Sequence, residues 1–187
     1  MIKFVVTKSN IMKGIKFLLA AAVILVGSAF TVMNAVSWQV NDDSYAVKFD
    51  TKGASGIIKG LKGAINFDEA NLPGSGFDVT IDVNTLSTGN GMKNHHAKSE
   101  SFFDAGKYPL IHFVSSKIEK TTDGYLATGK LTIKETTKNV TIPFTFEGSG
   151  NEGTFKGNFE INRTDYDLIR NGVGETVKIE LVIPVKK

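Results

Sequence analysis

Residues 93–113, KNHHAKSESFFDAGKYPLIHF, are the one long interval after residue 38 that breaks an alternating apolar and polar pattern. Residues 93–98 are polar and carry two of the three histidines. Ser99 is expected to cap a short turn of helix, because its hydroxyl can accept from a backbone N–H two or three residues on. Phe102 and Phe103 are too apolar to leave in water, which folds the segment back onto a core. Tyr108-Pro109 ends any helix, since the residue before proline is pushed out of the α region. The interval therefore predicts a compact plug between two strands.

On both sides of it the period is two. Val47 and Phe49 open the pattern, with Tyr45 on the same parity. Leu61, Gly63, Ile65 and Phe67 share a face, and Phe77, Val79, Ile81 and Val83 alternate with Asp78, Thr80 and Asp82. After the plug come Ile111 and Phe113, then Tyr125, Ala127, Gly129, Leu131 and Ile133 beyond a turn at Asp123-Gly124. Val140, Ile142, Phe144 and Phe146 repeat it, then Phe155, Gly157, Phe159 and Ile161, then Val177, Ile179, Leu181, Ile183 and Val185. About eight such segments argue an antiparallel sandwich or a closed barrel. Closure leaves no bare edge strands, but periodicity does not separate the two.

The same interval carries a resemblance. Its order K-x-x-H-x-x-S-x-x-F-F-D-x-x-x-Y-P-x-I-x-F resembles the signature of the YceI family of lipocalin-like bacterial envelope proteins. It rests on Lys93, His96, Ser99, Phe102, Phe103, Asp104, Tyr108, Pro109, Ile111 and Phe113. Gly129-Lys130-Leu131-Thr132-Ile133 with Thr137-Lys138-Asn139-Val140 resembles a second family stretch. Arg163-Thr164-Asp165-Tyr166 with Val173-Gly174-Glu175-Thr176-Val177 resembles a third. Two positions depart: the family usually has arginine near Lys93, and glycine commonly follows the aromatic where this chain has Asp167. The resemblance implies an all-β fold, an eight-stranded antiparallel lipocalin-like barrel with one short helical plug segment.

Charge and composition exclude several classes. The net charge of +3 is misleading, because the first 37 residues hold four lysines and no acid, leaving 18 basic residues against 19 acidic. No basic stripe remains for a nucleic acid. The chain has no cysteine, which removes disulfides, thiolate metal sites, a cysteine nucleophile and lipidation at cysteine. Lys13 and Lys16 precede an apolar run at residues 17–26, FLLAAAVILV, followed by small residues. That order predicts a signal peptide over residues 1–37, with cleavage after Ala29, Ala35 or Ser37, and a barrel domain over 38–187. The alternative is an uncleaved anchor. Met12 competes with Met1 as the start. Either leader reading puts the domain outside the cytoplasm, periplasmic or secreted, and cleavage leaves no permanent span.

An eight-stranded barrel is just wide enough to be filled by side chains or to hold one small ligand. Phe67, Phe77, Phe113, Phe144, Phe155 and Phe159 fall inward, as do Ile81 and Leu131, but so do Gly63, Ala127, Gly129 and Gly157. The residues leave two readings open: the glycines clear a narrow bore, or they permit the coiling that barrels need. The resemblance favours the bore, because it implies a polyisoprenoid, quinone or related long-chain lipid held inside, with burial worth about 0.8 kcal/mol per methylene. A polar head then needs partners at the mouth. His96, which matches the family's histidine, is the first candidate, with Lys93 and Arg163. His95, Lys98 and Arg170 are further candidates, and Arg163 has the alternative of pairing with Asp165.

Catalysis finds little support. No nucleophile-elbow, H-E-x-x-H, calcium-loop or dinucleotide pattern is present, so no catalytic residue, metal or cofactor is expected. The expected function is non-enzymatic binding, transport or storage of a hydrophobic chain. The alternative is an envelope stress or interaction protein with a closed barrel that acts through its surface. Homodimerisation is left open.

Overall fold

In the computed structural model of the chain, residues 35–41 and 45–187 are described. The alternating segments become strands β1 (Ser37–Val40), β2 (Ala46–Thr51), β3 (Ala54–Ile58), β4 (Lys62–Asn66) and β5 (Gly76–Asp82). After the plug come β6 (Leu110–Thr121), β7 (Gly124–Ile133), β8 (Thr136–Ser149), β9 (Glu152–Asn162) and β10 (Thr176–Lys186). All pair antiparallel in the order β1-β4-β5-β6-β7-β8-β9-β10-β2-β3, and β10 also pairs with β1. The four short strands share staves in pairs. β1 and β2 lie in succession along β10, with Val40 opposite Val185 and Ala46 opposite Val182. β3 and β4 lie in succession beside β2 and β1. The ten segments thus make a closed eight-stranded barrel.

Inside and outside follow from the pleat, since successive side chains in a strand point to opposite faces. Along β7, Tyr125, Ala127, Gly129, Leu131 and Ile133 are all buried, and the residues between them are not. β6 departs from strict alternation: Phe113 and Ile118 are both buried although their parity differs. A β-bulge between Ser115 and Lys117 shifts the register and accounts for it. Gly129 stands opposite that bulge, paired with Ser115, where a Cβ would lie 2.3 Å from the Val114 carbonyl oxygen. Gly63 faces open surface with φ +124, and a Cβ there would lie 2.1 Å from the Asp78 carbonyl oxygen. These two glycines let backbones approach closely; neither clears interior space.

The plug is a helix followed by tight turns. Helix α1 (Gly91–Lys98) is capped at its N-terminus by Asn90, whose side chain accepts from the Lys93 amide at 3.0 Å. Ser99 ends this helix, and the expectation that it starts one is corrected. Its amide and hydroxyl both donate to the His96 carbonyl, at 3.3 and 2.8 Å. Asn90 wins because it precedes a run free of proline, whereas the run after Ser99 soon meets Asp104 at φ 48. Phe102 and Phe103 pack edge to face, 5.1 Å between centroids, against the core.

The predicted leader lies almost wholly outside the described residues. At its end, Val36 packs on the core and its carbonyl accepts from the Phe67 amide at 2.8 Å, while Ser37 opens β1. Among the described residues no helix is long and apolar enough to cross a membrane.

Candidate functional site

The barrel interior holds two adjacent cavities. The deep one has a volume of about 200 Å³ and the outer one about 300 Å³. Both are lined by Ile58, Ile111, Ile133, Ile161 and Ile179, from β3, β6, β7, β9 and β10. A ring of isoleucines therefore lies at the level where they adjoin. It arises because each strand brings an inward β-branched residue to the same level, and β-branched side chains are favoured on a pleated surface.

Below the deep cavity the barrel is solid. Phe67, 1% exposed, sits just after β4 and plugs that end. Its ring lies 5.0 to 5.5 Å from those of Tyr125, Phe144, Phe146 and Phe155, mostly edge to face. Trp38 adds a wall, donating its indole N–H to the Phe67 carbonyl at 2.9 Å. Such pairs each add about 0.5–1.5 kcal/mol beyond their burial. Tyr125 donates to Glu69 at 2.5 Å, and burial with that carboxylate beside it pushes its phenol up to about 12.

The deep cavity is lined by Phe77, Ile81, Phe113, Ala127, Leu131, Phe144, Phe155, Gly157 and Phe159, all named from the sequence as pore residues. Phe67 and Gly129, named with them, do not reach it: one is the floor, the other supports the bulge. The sequence reading passed over the aliphatic lining, including Val47, Leu61, Val79, Ile142, Leu181 and Ile183. Val47, Val79, Ile142, Leu181 and Ile183 carry the inward parity of their strands, and Leu61 precedes β4 on the parity of Ile65.

The outer cavity is the mouth. Three elements frame it: the β2–β3 hairpin, the plug, and the loop between β9 and β10. His96, Lys93 and Arg163 all line it, together with Arg170, Phe102 and Phe103. Lys93 donates from Nζ to the Gly53 carbonyl at 3.1 Å, and Lys98 donates to the Asn84 carbonyl at 2.6 Å. These bonds tether α1 across the opening, since the helix buries none of its own residues fully. His95 does not line the cavity.

Arg163 is 4% exposed and shapes the mouth from within. Its Nε donates to the Gly174 carbonyl at 2.8 Å, and its Nη2 to the Arg170 and Val173 carbonyls, both at 2.8 Å. Its Nη1 donates to the Leu168 carbonyl. The planar fork thereby holds the β9–β10 loop in one shape. It is not ion-paired with Asp165 or any other acid among the described residues. Four of its five N–H groups are taken, so its part at the mouth is mainly to build the wall. Asp167 follows in the left-handed region, φ 57 and ψ 26. Glycine adopts that conformation freely and aspartate tolerates it, so the chain keeps the turn despite its departure from the resembled pattern.

Comparisons with known proteins agree with this architecture. A family model described as a YceI-like domain matches residues 38–185. UPF0312 protein YE1254 of Yersinia enterocolitica is 28% identical over 137 residues, covering 70% of this chain and 71% of that protein. The crystal structure of Burkholderia cenocepacia BcnA superposes with a TM-score of 0.73 at 30% identity, covering 78% of this chain and 99% of BcnA. A polyisoprenoid binding domain from Saccharophagus degradans, implicated in plant cell wall breakdown, shares the fold at 14% identity and a TM-score of 0.61. It covers 80% of this chain and 97% of that one. With that family model spanning nearly the whole barrel, the chain belongs to the YceI-like domain family.

Proposed function

We propose that this protein binds a single long hydrophobic chain, of polyisoprenoid, quinone or related lipid type, and carries or stores it outside the cytoplasmic membrane. The observation that carries the reading is the two-chamber interior with a floor at Phe67 and an apolar wall up to the mouth. A linear tail fits such a space, because it can run through both small chambers past the isoleucine ring. Burying the tail supplies about 0.8 kcal/mol per methylene. The plug covers the opening through few bonds and controls access.

Binding without catalysis is the reading favoured by family membership and by an interior whose deep walls are almost wholly apolar. The Saccharophagus neighbour's description as a polyisoprenoid binding domain supports a lipid ligand by likeness of fold. Export through the residue 1–37 leader, with the domain beginning near residue 38, completes the proposal. Cleavage after Ala29 or Ala35 leaves β1 whole, whereas cleavage after Ser37 removes its first residue.

The test is organic extraction of protein purified from cells that produce the full chain, followed by lipid mass spectrometry. A stoichiometric long-chain species supports the reading. An empty extract contradicts it and favours a protein that acts through its outer surface.

A further inference from the structure

Two of the three elements that frame the mouth present the same pair, an exposed aliphatic side chain followed by a cation. The pairs are Met92-Lys93 on α1 and Ile169-Arg170 in the β9–β10 loop. Met92 is 72% exposed and Ile169 61%, more than any other large hydrophobic among the described residues. The others left exposed, Ile57, Leu110 and Val114, lie on strands. A single aliphatic in water is ordinary; two of them beside one opening into an apolar cavity form a rim. The third framing element, the β2–β3 hairpin, carries exposed Lys52 in its turn. Residues 51–53, 91–98 and 168–174 thus hold Lys52, Lys93, Lys98 and Arg170 and no aspartate or glutamate. The acids of that end flank these stretches: Glu100, Asp104, Glu135, Asp165, Asp167 and Glu175. Of them Glu135 is bonded by Tyr108 and Lys107, and Asp167 accepts from Thr136. The tips of the rim are therefore cationic and apolar together. That combination suits a bilayer interface, where aliphatic side chains enter the headgroup boundary and lysine and arginine meet anionic lipid.

We propose that the rim of the mouth docks on an anionic phospholipid surface, with Met92 and Ile169 inserted and Lys52, Lys93 and Arg170 against the headgroups. Seated in this way, the barrel passes a tail between bilayer and bore without exposing its methylenes to water. The docking deepens the reading that the bore takes a tail and rests on it for its purpose. The two fail separately, since one is read from vesicle binding and the other from extracted lipid.

The test is co-sedimentation of protein made from the full chain with vesicles of phosphatidylglycerol and phosphatidylcholine in equal parts, and with vesicles of phosphatidylcholine alone. Binding is expected to be about tenfold tighter on the anionic vesicles and to weaken as salt is raised. Met92→Ser and Ile169→Ser together should abolish most of it, and Lys52→Gln should weaken it about fivefold. Lys120→Gln, at the floor end of β6, should leave it unchanged. Unaltered thermal midpoints show that each variant keeps the fold. Equal binding to the two kinds of vesicle, or none to either, overturns the docking and leaves the bore reading standing. Loss on Lys120→Gln as large as on Lys52→Gln overturns it too, by placing the contact away from the rim. A dimer of the protein alone that Met92→Ser and Ile169→Ser dissolve gives the patch to a second copy, and also overturns it. Vesicle binding as expected from a protein whose extract is empty keeps the docking surface and overturns the bore reading.

Discussion

The two ends of the barrel share one alternating pattern and reach opposite outcomes. Along β10, Ile183 and Val185 at the floor end are 6% and 3% exposed, while Val177, Ile179 and Leu181 toward the mouth are only half-buried. The same change runs along β9, where Phe155 and Gly157 are buried and Phe159 and Ile161 half-buried. All of these residues point inward. The floor end is solid because Phe67, in the loop just after β4, and Trp38, from β1, mesh with strand phenylalanines. The mouth end receives isoleucines and mobile-length cations, which leave space. Alternation sets which side chains face the centre; the loops decide whether the centre is full.

Removing the floor should have the largest effect. Phe67→Ala is expected to cost about 3–5 kcal/mol, as for other buried aromatics, and to extend the deep cavity downward. Chemical denaturation measures the loss, and a cost under about 1 kcal/mol would show that the floor is not packed as described. Arg163→Met attacks the other end. It leaves four loop carbonyls without their donor, at about 1–3 kcal/mol per buried unsatisfied group before water repairs some of them. Stability should fall by about 3 kcal/mol, and hydrogen exchange should rise across residues 168–174 while the floor stays protected.

How much of this was legible in the sequence differs between the ends in the same way. The alternation of the strands and the turn at Asp123-Gly124 placed the inward residues, so nine of the residues that line the deep cavity could be named, while closure into a barrel came from the resemblance. The floor could not be read, because Phe67 continues the parity of Ile65 and nothing local shows that it folds under the barrel. Gly129 was misplaced for a related reason. An inward glycine looks like missing volume until the bulge opposite it is seen, and the bulge's only trace is the parity change between Phe113 and Ile118. At the mouth, residue types pointed to Arg163, but its four carbonyl partners come from a loop whose shape no periodicity encodes. Ser99 is a suitable cap by residue type, and only the fold shows that Asn90 takes that place.

Gly129→Ala sharpens the point about glycine. The added Cβ meets backbone at Val114 and Ser115, which cannot rotate away, so a cost of about 2 kcal/mol is expected. A neutral result in thermal melting would restore the reading of Gly129 as empty space. A smaller effect concerns the plug's far end, where Tyr108 donates to Glu135 and Lys107 approaches it at 3.3 Å. The Tyr108 hydrogen bond, then that from Lys107, holds the Glu135 carboxyl below the usual range. A depressed carboxyl stabilises the fold above its ordinary range and loses that contribution as pH falls through the lowered value. Wild type and Glu135→Gln should therefore differ slightly in thermal midpoint at neutral pH and converge in acid. A gap that widens in acid would contradict the assignment.

The hollow half is tested most directly by filling it. Ala127, 1% exposed and lining the deep cavity, can be changed to leucine with space available, and native mass spectrometry can compare the two proteins made from the full chain. The account expects a lipid-sized mass increment on the wild type that is lost from Ala127→Leu, with a thermal midpoint close to that of the parent. The same increment on both, or none on the wild type, would contradict it.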